Sequence, residues 1–196
     1  MKKGFTLIEV VVVLSVIAIL GAVLVPTIIK NINDSKITKA KNDTSSIGKM
    51  MLQCRDDMGI WPVKDRNGNS VRLLIGTSPD PNSSLIPNSS SGISSWNRNP
   101  MESIWWELVN VNNSYRKIDP NPHNLPSWRG PYFTEINLDP WGNPYLINAA
   151  YLPGAYSPQN SRRVWVISAG ANKLMDTNFE GTNLQTGEDD IGFSIQ

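Results

Sequence analysis

Cysteine and histidine each occur once in the 196 residues, as Cys54 and His123, and this scarcity removes whole classes of chemistry. No intrachain disulfide can form, and the cysteine count carries no information about redox compartment. Zinc sites of the usual His/Cys kind are excluded. A Ser/His/Asp triad would have to recruit His123 from the Pro-rich loop Asp119-Pro120-Asn121-Pro122-His123, so an enzyme of that type is not expected. An excess of charge of one sign is lacking as well. Lys and Arg number 18 against 17 Asp and Glu, a formal net charge of +1, and no basic surplus points to nucleic acid.

What the chain does have is one long hydrophobic run. From Val10 to Val25 only Ser15 and Gly21 dilute a sequence of Val, Ile, Leu and Ala, and Pro26 follows. As a helix, residues 5–29 would span roughly 37 Å at 1.5 Å per residue, enough to cross a bilayer. A secretory signal peptide carries a small-residue cleavage site beyond its apolar centre. Here that position reads Val25-Pro26-Thr27-Ile28-Ile29-Lys30, so the segment is expected to stay. Glu9 is its anomaly. A carboxylate one turn into a membrane helix costs about 3 kcal/mol on insertion scales and usually marks a function. The bland alternative is that it snorkels to the headgroups.

The apolar pattern continues beyond Pro26, which is expected to kink the helix. Ile37, Ala40, Ile47, Met51, Cys54 and Met58 recur at mostly helical spacing, with Lys36, Lys39, Lys41, Asp43, Lys49, Arg55 and Asp57 on the other face. Cys54 reads there as a small buried hydrophobe. One helix, greasy all round at first and amphipathic afterwards, therefore runs to a stop at Gly59.

Further on, Asp65-Arg66-Asn67-Gly68-Asn69 between apolar runs predicts a hairpin. Residues 77–95 are rich in Ser, Asn and Pro and read as an exposed mobile loop, with sequon matches at Asn82 and Asn88. Asn99, Pro100 and Glu102 look like the start of a second helix, with Ile104, Trp105, Leu108 and Val109 as its apolar face. Tyr132-Phe133, Tyr145-Leu146-Ile147 and residues 164–168 predict a small antiparallel sheet. Residues 138–145 read as a tight turn holding an aromatic against the core.

Lys2-Lys3-Gly4-Phe5-Thr6-Leu7-Ile8-Glu9 resembles the leader of type IV prepilins. That resemblance implies cleavage by a prepilin peptidase between Gly4 and Phe5, methylation of the new Phe5 amine, and a role for Glu9 in assembly. In the family the glutamate is thought to neutralise the terminal amine of a neighbouring subunit. Four further stretches narrow the likeness: Trp128-Arg129-Gly130-Pro131-Tyr132, Asp139-Pro140-Trp141-Gly142-Asn143-Pro144-Tyr145, Ser168-Ala169-Gly170 and Glu188-Asp189-Asp190-Ile191. In this order they resemble the major pseudopilins of the type II secretion system, and Trp61-Pro62 is similar to the Tyr-Pro that follows the first helix there. The likeness covers 1–62 and 100–193 and leaves roughly 64–99 as an expansion.

The resemblance implies an α+β, type IV pilin-like fold in four parts. These are a leader (1–4), a membrane and filament-core helix (5–29), the amphipathic half of the same helix (30–59), and a periplasmic domain (60–196). The domain would include a variable loop, 64–99, and an acidic C-terminal loop, 168–193. It also implies calcium in that last loop, held in the family by two aspartate positions and main-chain oxygens. The matching residues are Asn172, Asp189 and Asp190, with Asp176 able to compensate for the charge Asn172 lacks, and carbonyls such as those of Ile167 and Gly170. The acidic residues of this loop, Glu180 and Glu188 among them, could equally be a solvated tail.

The expected function is structural: a subunit polymerising into a periplasmic pseudopilus for protein secretion. Its partners would be further copies of itself, minor pseudopilins, the prepilin peptidase and an inner-membrane platform driven by a cytoplasmic ATPase. The chain would cross the inner membrane once, with its N-terminus cytoplasmic. A surface pilin for adhesion, motility or DNA uptake is the nearest alternative, and a membrane-anchored periplasmic binding protein is the alternative of another class.

Overall fold

The computed structural model describes residues 4, 6–65, 67–76, 83–104, 129–182 and 185–195. Its elements are α1 (Leu7–Met58), β1 (Leu73–Gly76), β2 (Met101–Ser103), β3 (Tyr145–Ile147), β4 (Trp165–Ser168) and β5 (Ile191–Ser194), with 3-10 turns at Ser83–Leu85 and Ala149–Tyr151. Two compact units divide between Thr38 and Lys39, so the helix contributes to both.

The first unit is helix from Leu7 onward. Every residue from Leu7 to Leu20 and from Ala22 to Ile32 is exposed, most of them Val, Ile or Leu. A helix that is apolar all round requires apolar surroundings, and this one is long enough to cross a membrane. Two hydroxyls in the apolar stretch bond back to the helix: Ser15 donates to the carbonyl of Val11 (2.8 Å) and Thr27 to that of Val23 (3.4 Å). Pro26 lies inside the helix, which continues on both sides of it, and lacks the amide that would reach Ala22. Ile37, expected on the buried stripe, is exposed within this unit.

In the second unit α1 buries Ala40, Thr44, Ile47, Gly48, Met51, Cys54 and Met58, a stripe at three- and four-residue spacing. Gly48 is on that stripe because the Phe193 ring lies against it; a Cβ there would stand 2.4 Å from Phe193 Cδ1. Two phenols tie the helix to the sheet domain. Tyr145 donates to Asp43 (2.8 Å), and Tyr132 to Asp57 (2.9 Å). Gly59 ends the helix as expected, with φ +69° and its amide on the Arg55 carbonyl.

The five strands form one sheet in the order β2-β1-β3-β4-β5. Alternation along the strands divides the core into two layers. Leu74, Tyr145, Ile147 and Val166 face α1. Leu73, Ile75, Leu146, Trp165 and Ile167 face a second layer made of Ile86, Trp96, Met175 and Phe179. The fold is thus α+β, with one long N-terminal helix whose second half covers a small sheet.

The strands differ from expectation in several places. The sheet is mixed, since β1 and β2 are parallel, Leu73 opposite Met101 and Ile75 opposite Ser103. β2 occupies the expected start of a second helix: pairing with β1 supplies ladder hydrogen bonds that outweigh a local capping signal. Ile104 is fully buried, while Trp105, Leu108 and Val109 lie outside the described residues. Tyr132 and Phe133 are not a strand but pack on the core from a loop. β5 emerges from the acidic tail and pairs antiparallel with β4.

The predicted hairpin is present as a short bridge between Lys64 and Ser70. Its loop shares one geometry with the turn at residues 139–143. In each, an Asp amide donates to the carbonyl of the Asn four residues on, and the Gly amide to the Asp carbonyl. In each, one carboxylate oxygen accepts the amides two and four residues on. Gly68 and Gly142 supply the positive φ this requires.

The contact between Gly48 and Phe193 makes a prediction. Gly48→Ala should destabilise the domain by about 1–3 kcal/mol through overpacking. Thermal denaturation should show a smaller loss when the same change is made in a Phe193→Leu background.

Candidate functional site

Glu9 and the acidic tail carry the sequence-based site expectations, and they lie in different units. At the start of α1, Glu9 Oε2 accepts from the Thr6 amide (2.8 Å) and from Thr6 Oγ1 (2.7 Å), while the Glu9 amide donates to Thr6 Oγ1 (3.4 Å). This is a capping box, in which Thr6 and Glu9 satisfy amides that the first helical turn leaves open. Glu9 is exposed, so its carboxylate has a local task and remains accessible to a second chain. Gly4 is exposed too, and Phe5 lies outside the described residues.

The tail forms around β4 and β5. Asp190 is buried, and its Oδ2 accepts the amides of Asp176 (2.8 Å) and Thr177 (2.6 Å). Asp189 Oδ2 accepts the Asn172 amide (2.8 Å). The other carboxylate oxygen of each, Oδ1, is buried without a hydrogen-bond partner. Burial is the largest influence on Asp190 and raises its pKa to about 6, against the opposing hydrogen bonds from Thr177 and Asp176.

Asn172 and Asp176 are engaged elsewhere. Asn172 Oδ1 accepts the Leu174 amide (2.6 Å) in a local turn, and its Nδ2 donates to Asp176 Oδ2 (2.8 Å). Asp176 Oδ1 accepts the Ser90 hydroxyl. Gly170 packs so closely on the Asp189 carbonyl that a Cβ would sit 2.3 Å from it, and φ +64° also favours glycine there. Ile167 lies inside the ladder, opposite Leu146 and Gly192. Glu180 and Glu188 are exposed.

Chemically, this donor set suits a hard cation only in part. Two buried carboxylate oxygens lack partners, as an oxygen-seeking divalent ion requires. No group of three or more His, Cys, Asp or Glu side chains converges among the described residues. Main-chain oxygens would have to complete any coordination.

Three participants were not among the expected site residues. Asp139, buried in its turn, accepts the Ser168 hydroxyl (2.6 Å), and that hydroxyl oxygen in turn accepts the Gly170 amide (3.2 Å). The Asp-Pro-Trp-Gly-Asn turn is thereby linked to the loop facing Asp189. Asn148, also buried, donates to the carbonyls of Arg163 and Phe179 and accepts the Trp165 amide. The described part of the expected mobile loop is held against the tail. Ser89 bridges to Met175, Ser94 donates its amide to Asn178 Oδ1 (3.0 Å), and the Trp96 indole donates to the Thr177 carbonyl (2.6 Å). The only advance signal was Ile86 and Trp96 themselves, two large apolar residues in a polar stretch.

The raised Asp190 pKa fixes a sign. A carboxyl that prefers its proton in the folded state contributes stability below its unfolded pKa, near 3.8, and loses it as pH rises through about 6. In chelator, the melting temperature should therefore fall across that window, and Asp190→Asn should flatten this fall.

Comparison with known proteins bears on the N-terminal segment and on most of the chain's length. A model of the prokaryotic N-terminal methylation motif matches residues 1–25. The type II secretion system core protein G of Pseudomonas aeruginosa is 25% identical over 157 residues, covering 80% of this chain and 78% of that protein. No solved structure matches significantly.

Proposed function

We propose that the chain is a pseudopilin: a membrane-anchored subunit that polymerises into a periplasmic filament of a type II secretion system and catalyses no reaction itself. One observation carries this reading. A methylation motif over residues 1–25 heads an exposed apolar helix, in a chain similar to a secretion core protein over four fifths of its length. The leader would be cut between Gly4 and Phe5, and Phe5 methylated. Residues 7–32 would lie first in the inner membrane and then among sister helices. A prepilin peptidase, minor pseudopilins and an ATPase-driven platform would be its partners. Similarity to a secretion protein favours this assignment over a surface pilin.

In a filament core Glu9 would face low dielectric, where a carboxylate needs a counter-charge. The Phe5 amine of a neighbouring subunit would supply it. The capping box gives a way to separate this role from helix starting, because glutamine also completes a capping box but carries no charge. Glu9→Gln should leave membrane insertion intact and reduce filament yield as far as Glu9→Ala does. Yield restored by glutamine would assign Glu9 to the cap alone.

In the tail, Asp189 and Asp190 would hold a calcium ion through their unpartnered Oδ1 atoms, with main-chain oxygens around them. The ion would compensate the two carboxylates at their buried oxygens and tie the start of β5 to the Gly170 turn. Asn172 and Asp176 would support the loop rather than bind directly. At a hundredfold excess of calcium over its dissociation constant, stabilisation should be about 2.7 kcal/mol. The melting temperature should rise by several degrees in the wild type and not in Asp189→Ala/Asp190→Ala; an equal response in both would remove calcium from this account.

A further inference from the structure

A cleft of about 250 Å³ lies on the second unit, away from the calcium candidate residues, between the Arg72 segment, Arg98 and the loop that follows β3. Three arginines line it. Arg72 stacks on the Tyr156 ring, its Cζ 3.8 Å from the centroid. Arg98 lies 5.5 Å from the Phe179 ring, and Arg162 is 6.0 Å from the Tyr151 ring. Those two rings are 6.0 Å apart, so Arg98 and Arg162 share one aromatic floor, while Arg72 has its own in Tyr156.

The arginines are held in position, and Arg72 keeps donor capacity unspent. Backbone bonds lock the Arg72 segment: its amide donates to Pro100 and its carbonyl accepts from Ala150. The Arg72 Nε is buried with no hydrogen-bond partner. Arg98 spends its Nε on the Ser95 carbonyl (3.0 Å), and Arg162 donates to Gln159 Oε1 (3.1 Å) and to the Glu180 carbonyl (3.3 Å). Neither Arg72 nor Arg98 is in an ion pair; the ion pairs among the described residues join Lys39 to Asp43 and Arg55 to Asp56. Among the described residues Glu180 is the one carboxylate lining the cleft, against three arginines.

The Tyr151 hydroxyl reports how closely these groups converge. Burial is the main cause of its raised pKa and the Glu180 charge adds to it, while Arg162, Arg98 and Arg72 all act on it in the opposite direction. All three guanidinium groups are therefore within electrostatic reach of one point.

We propose that this cleft binds a phosphate-class oxyanion, with Arg72 and Arg98 as its principal donors and Arg162 fixed beside them by Gln159. A planar guanidinium fork matches two oxygens of such an anion, and aromatic stacking holds the fork in place before binding. A single carboxylate would offer one charge to three cations, whereas a phosphate offers up to two charges and three oxygens. The volume accommodates the anion with part of what it is attached to.

The test uses the full chain in nonionic detergent, titrated calorimetrically at low salt with pyrophosphate, glycerol 3-phosphate and succinate. Pyrophosphate should bind at a single saturable site. Arg72→Gln and Arg98→Gln should each weaken it by about tenfold or more, the loss expected for a charge-assisted hydrogen bond. Each should leave the ligand-free melting temperature unchanged; should Arg72→Gln unfold the chain, Arg98→Gln alone decides. Comparable binding of glycerol 3-phosphate supports the site and indicates a lipid headgroup as source, while binding of pyrophosphate alone supports it with a soluble phosphate. Absence of binding by both phosphates, undiminished binding in a folded Arg98→Gln, or succinate binding as tightly as pyrophosphate would each overturn the proposal.

Discussion

A five-stranded sheet with apolar residues on both faces has to be covered on both, and the second unit is arranged around that requirement. One face is covered by the latter half of α1, whose Gly48 lets the Phe193 ring of β5 close against it. The other is covered by chain without regular structure, which among the described residues supplies the large buried apolar groups Ile86, Trp96, Met175 and Phe179. Irregular chain brings exposed amides and carbonyls with it, and these must be met by hydrogen bonds. The Ser-rich segment and the tail meet one another's, through Asn88, Ser90, Ser94 and the Trp96 indole. The Ser and Asn content that resembles a flexible loop therefore supplies the polar groups of a covering layer.

This explains which features could be read in advance. The apolar run and the helical stripe were legible because their signal is local: periodicity and exclusion of polar residues. β3 and β4, rich in aromatic and β-branched residues, were legible for the same reason. β2 and β5 were not, because Met101-Glu102-Ser103 and Ile191-Gly192-Phe193-Ser194 become strands through partners distant in sequence. Thr44 and Gly48 were absent from the expected stripe because neither is a large hydrophobe; the geometry of the Phe193 ring, not hydropathy, puts Gly48 there. At the tail, the acidic residues were identified, but not their division of labour. Asp189 and Asp190 keep buried oxygens without partners, while Asn172 and Asp176 spend theirs on Leu174, Asn172 and Ser90.

The two ends of the chain pose the same electrostatic problem in different surroundings. Glu9 is satisfied by Thr6 while the chain is alone, and would need a counter-charge once sister helices replace water or headgroups around it. Asp189 and Asp190 each keep a buried carboxylate oxygen without a partner and need compensation within their own domain. A filament subunit accounts for both. Assembly would answer the first, and a cation would answer the second while ordering the segment that becomes β5.

The central claim is that this is a processed filament subunit and not a protein with a simple membrane anchor. Mass spectrometry of the N-terminal peptide, from chain expressed with a prepilin peptidase, tests it most directly. The account predicts a chain that begins at Phe5 and carries one methyl group on its amine. A chain that retains residues 1–4, or is cut beyond the apolar helix, would contradict it.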